Sequence, residues 1–64
     1  MSMYVLFNRN TLTPIQFSYD SELLYSVKEL LEAHFHGGYE VGNVVYYTDL
    51  LYKQNETEGL LEGL

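Results

Sequence analysis

The chain has 64 residues, with nine acidic and three basic side chains, a formal charge of −6, and no cysteine. That length supports one domain, whose folding buries only about 60% of the surface its unfolded chain exposes. Without thiols, neither a disulfide nor a thiolate metal site can reinforce it.

Three basic residues, Arg9, Lys28 and Lys53, are scattered and form no patch, which argues against direct nucleic-acid binding through phosphate neutralisation. No apolar run approaches a membrane span, and no basic stretch leads into a signal sequence, so the expected location is cytoplasmic, without membrane contact.

Taken in order, Met3 to Phe7 is rich in β-formers and is expected as a strand. Met3, Val5 and Phe7 share one face, Tyr4, Leu6 and Asn8 the other. Both faces are partly apolar, which suits a central strand or a strand with one face at an interface. Asn8 to Thr11 is turn chemistry. Leu12 to Tyr19 then alternates Ile15, Phe17 and Tyr19 with Gln16 and Ser18, the pattern of a half-buried strand. Pro14 lacks an N–H, so this strand starts at Pro14 or lies at an edge.

Residues 20–36 carry a helical pattern. Leu23, Val27, Leu31 and Phe35 repeat every four residues, widened by Leu24, Leu30 and Ala33. Ser18 and Asp20 are both N-cap types, Glu22 suits the first turn, and Gly37-Gly38 are a stop signal. Beyond it, Tyr39-Glu40-Val41 and Asn43 to Thr48 are β-rich. They form either one bulged strand or a hairpin turning at Gly42-Asn43. Thr48 to Asn55 then either opens a short helix, with Thr48-Asp49 as cap and acidic first turn, the preferred expectation, or continues the strand. The expected fold is α+β: an antiparallel sheet of three to four strands, ββαβ(β), with one amphipathic helix on one face. Residues 1–55 are the domain, and 56–64 are an acidic tail that is disordered or orders on a partner.

The residues offer little for catalysis. His34 and His36 point about 200° apart on a helix and cannot share a metal there. Glu29 and Glu32 lie on one helical face, but Lys28 sits at i,i+4 spacing to Glu32, the pattern of a solvated surface. No nucleophile stands at a plausible spacing from a base, and no phosphate loop is present. We therefore expect no enzyme, no catalytic residue, no metal and no cofactor.

The more informative signal is acid and tyrosine. Seven Tyr without a Trp exceed what one small core can hold, and Tyr is favoured at interfaces. Acids and Tyr together suit a protein that occupies the nucleic-acid groove of a basic partner. By analogy of size and charge alone, phage-encoded inhibitors of host enzymes work in this way. The expected function is a small acidic inhibitor or modulator of a basic, nucleic-acid-handling protein. The expected partner-binding residues are Glu29, Glu32, Tyr39, Glu40, Tyr46, Tyr47 and Asp49. The alternative is a homo-oligomeric structural or adaptor module with a Tyr-rich interface.

Overall fold

A computed structural model describes the backbone of residues 2–62 and the side chains of residues 2–54. The elements are β1 (Tyr4–Asn8), β2 (Pro14–Ser18), α1 (Ser21–His34), β3 (Tyr39–Asn43) and α2 (Val44–Glu62). The fold is α+β. The sheet is antiparallel with the order β2-β1-β3, so the two-faced first strand is the central one.

The β1–β2 connection is organised by Asn8. Its Oδ1 accepts from the N–H groups of Asn10 (2.8 Å) and Thr11 (3.1 Å). Leu12 then sits at φ 62°, in the left-handed region. A leucine there costs on the order of 1 kcal/mol or more. Two contacts hold it in place: its side chain packs on the core, and its carbonyl accepts a hydrogen bond from the Tyr47 hydroxyl at 2.5 Å.

Val5, Leu6 and Phe7 are all fully buried. Successive strand residues face opposite ways, so both faces of β1 must be covered. Each helix touches β1 and β3, and among the described residues the two helices do not touch one another. Val5 and Phe7 form a core with Tyr47, flanked by Leu12, Val44, Leu50 and Leu51. That face belongs to α2. The opposite face, with Leu6, belongs to α1, whose one buried residue is Leu24.

The α1 boundaries follow from its caps. The Asp20 carboxylate accepts from the N–H groups of Glu22 (3.0 Å) and Leu23 (3.4 Å), and Ser18 Oγ accepts from the N–H of Asp20 (3.0 Å). The helix stops two residues short of the expected end, with Phe35 extended. Its inward stripe is also narrower than the apolar periodicity suggests. Leu24, Val27 and Leu31 face the sheet, while Leu23, Leu30 and Phe35 are exposed. Three strands span only about 10 Å, about the diameter of one helix, so the flanks of α1 have nothing beneath them.

The expected fourth strand is absent, and no separate short helix opens at Thr48. Val44–Glu62 is one helix that follows β3 without a loop. Asn43 Oδ1 accepts from the N–H of Tyr46 at 2.8 Å, which makes Asn43 both the end of β3 and the cap of α2. Val44, Tyr47, Leu50 and Leu51 then fall on one helical face, over Val5 and Phe7. Burial of that face overrides the β-propensity of Val44 to Thr48. The acidic tail expected at 56–64 has its side chains outside the described residues.

Candidate protein-binding surfaces

Because the two helices lie on opposite faces, the seven expected partner-binding residues do not form one surface. Glu29 and Glu32 are exposed on the outer side of α1. Glu40, Tyr46 and Asp49 lie at β3 and the start of α2, across the sheet. Tyr39 is half-buried and points from β3 in the opposite sense to Glu40. Tyr47 is a core residue: 5% exposed, with its ring 4.8 Å from that of Phe7 at 45°. Its apolar ring and bonded hydroxyl are used internally.

The outer side of α1 carries a more coherent feature than the sequence alone suggested. Glu22, Tyr25, Glu29 and Glu32 recur at i, i+3, i+7 and i+10, so they align along one side of the helix. The stripe is about 15 Å long at about 1.5 Å per residue. Tyr25 is 54% exposed between the carboxylates. Lys28 Nζ lies 3.3 Å from Glu32 Oε1. Lys28 is the more sheltered partner of that pair, and it neutralises only part of the stripe. The spacing of Glu22 and Tyr25 was available in the sequence, but only the position of the sheet shows that this side of α1 is free.

A second cluster surrounds Tyr46. An added Cβ at Gly42 would come within 2.6 Å of the Tyr46 ring, so the ring lies against the bare backbone of β3. The Arg9 guanidinium lies similarly against Gly38, whose carbonyl accepts from the Arg9 N–H at 2.9 Å. Hydrogen bonding to Glu40 raises the pKa of the Tyr46 phenol above 10.0, desolvation and the Glu40 charge add to the rise, and Arg9 opposes it. Nothing in the sequence spacing brings Arg9 to this end of the fold; the antiparallel register of β1 and β3 does, by setting Arg9 against Gly38. Asp49 pairs with Lys53 at 3.2 Å on the exposed side of α2, an interaction worth little to stability.

His34 ends α1, and His36 lies in the connection between α1 and β3. Among the described residues no three His, Asp or Glu side chains group as a metal site, and no helix is long and apolar enough to cross a membrane. No family model, curated protein or solved structure matches the chain.

Proposed function

We propose that the chain is a small acidic protein-binding module that inhibits or modulates a basic, nucleic-acid-handling partner through the outer side of α1. The observation that carries this reading is the stripe of Glu22, Tyr25, Glu29 and Glu32 on the helix side turned away from the sheet. Carboxylates spaced along a rigid helix present negative charge to a cationic groove. An exposed Tyr among them supplies contact area with few rotors to immobilise. The overall charge of −6 adds long-range attraction to a basic protein and speeds encounter. The Glu40, Tyr46 and Asp49 group faces elsewhere and is not part of this contact.

The test compares capture from lysate at low and high salt, with bound proteins identified by mass spectrometry, for the wild type and for Glu29→Lys with Glu32→Lys. The expected result is a stoichiometric nucleic-acid-handling protein that elutes with salt and is lost in the double variant. The purified partner should bind at least about tenfold more weakly to the variant, because rim charges act mainly through association rate and salt dependence. Both positions are exposed helix sites, so the circular dichroism of the variant should match the wild type. Unaltered binding by a folded double variant would remove this face from the interface.

A further inference from the structure

The β2 edge of the sheet has the properties of a self-pairing strand. Backbone directions follow from the hairpin and its neighbours. The Asn8 N–H donates to Thr13 O within the β1–β2 hairpin, whereas the Arg9 N–H donates to Gly38 O, and Met3 O accepts from the Val44 N–H, on the other side. Even-numbered β1 residues therefore direct their backbone groups to β2 and odd-numbered ones to β3. Gln16 and Ser18, opposite Leu6 and Tyr4, use theirs inside the hairpin. Phe17, opposite Val5, directs its N–H and C=O outward to an edge with no partner strand.

Natural edges are blunted by charge, proline and bulges. On β2 the proline and the bulge are both at its start: Pro14 is the first residue, and the register shifts between Leu6 and Phe7, before Gln16 is reached. No charged residue occurs from Asn10 to Tyr19 in a chain of charge −6. Phe17 is 49% exposed, Ile15 44% and Tyr19 61%, and among the described residues α2 makes no contact with β2. The other edge, β3, carries Glu40 and runs directly into α2.

We infer that a second copy of this chain occupies the β2 edge, with the two β2 strands antiparallel about a two-fold axis at Phe17. The two three-stranded sheets then become one of six strands. The Phe17 N–H donates to the carbonyl of the partner's Phe17 and the reverse, the two Phe17 rings meet, and residues 15 and 19 of opposite copies come alongside. The charge distribution fits this occupant, because the edge is the stretch of an acidic chain that carries no charge. The acid nearest in sequence, Asp20, is three residues from the axis, so its two copies lie about 20 Å apart at about 3.3 Å per residue. That is beyond the screening length of about 8 Å at physiological salt, so two chains of like charge can meet here.

The test is sedimentation of the intact chain across micromolar to several hundred micromolar concentrations, with Phe17→Lys and Phe35→Lys as variants. Dimerisation should persist at high salt, and Phe17→Lys should weaken it at least about tenfold by placing like charges opposite one another at the seam. Phe35→Lys, at an exposed site off the strand, should leave it intact. A monomer at every concentration overturns the proposal, as does a dimer that survives Phe17→Lys or is lost equally with Phe35→Lys. Should Phe17→Lys fail to fold, mixed-label NMR of the wild type decides. A contact between the α-protons of Gln16 and the partner's Ser18 supports this register, and its absence in a dimer refutes it. Glu29→Lys with Glu32→Lys should leave the dimer unchanged, which separates this inference from the α1 reading.

Discussion

Replacing Tyr47 by Phe removes one oxygen from the core and leaves the ring that packs on Phe7. In the wild type that hydroxyl donates to the carbonyl of Leu12 at 2.5 Å. A neutral hydrogen bond contributes about 0.5–1.5 kcal/mol net. Its loss also leaves the carbonyl of a half-buried residue without this donor, so the expected cost is about 1–2 kcal/mol. For a chain of this size the total stability is about 3–10 kcal/mol, and the melting temperature should fall by about 7–15 °C. Urea and thermal unfolding followed at 222 nm provide the measurement. Tyr46→Phe is the control, because Tyr46 is 43% exposed and losing its hydroxyl should leave the melting temperature nearly unchanged. If Tyr47→Phe is as silent as Tyr46→Phe, the hydroxyl does not hold Leu12 in its left-handed conformation, and the coupling between α2 and the hairpin loop is wrong.

Two further outcomes follow from the β3–α2 junction. Asn43→Ala deletes the cap of α2 and should cost about 1 kcal/mol, read as a lower urea midpoint with unchanged slope. The Tyr46 phenol should ionise above 10.0 in a 13C NMR titration, and Glu40→Gln should bring it down towards that value. The folded pKa is raised above that of the unfolded chain. The contact's contribution to stability is therefore fully present below about pH 10 and fades as pH rises through the folded value.

The elements that could be read directly are those whose periodicity and punctuation agree. Pro14 placed the start of β2, and Asp20 with Ser18 placed the start of α1, because each acts through its own local backbone. The apolar character of both faces of β1 marked it as central for the same kind of reason. Val44 to Thr48 misled because β-formers at the start of a helix look like a strand until the surface they cover is known. Tyr47 misled as a site residue for a related reason: a Tyr count shows an excess but does not say which Tyr is inside. The stripe of Glu22, Tyr25, Glu29 and Glu32 was half legible, since helical spacing aligns it while only the sheet's position frees it.

By itself the sequence determined the charge, the absence of thiol chemistry, the α+β class, and the starts of β2 and α1. These depend on composition or on contacts within a few residues. The tertiary structure alone decided that α2 replaces a fourth strand, that the helices cover opposite faces, and that the acids are divided between two surfaces. These outcomes depend on which apolar groups meet across the sheet, and a three-stranded sheet about 10 Å wide has two faces to bury and too little width to bury every apolar side chain. Phe17, Tyr25 and their neighbours are left exposed by that geometry, and they carry the proposed contacts.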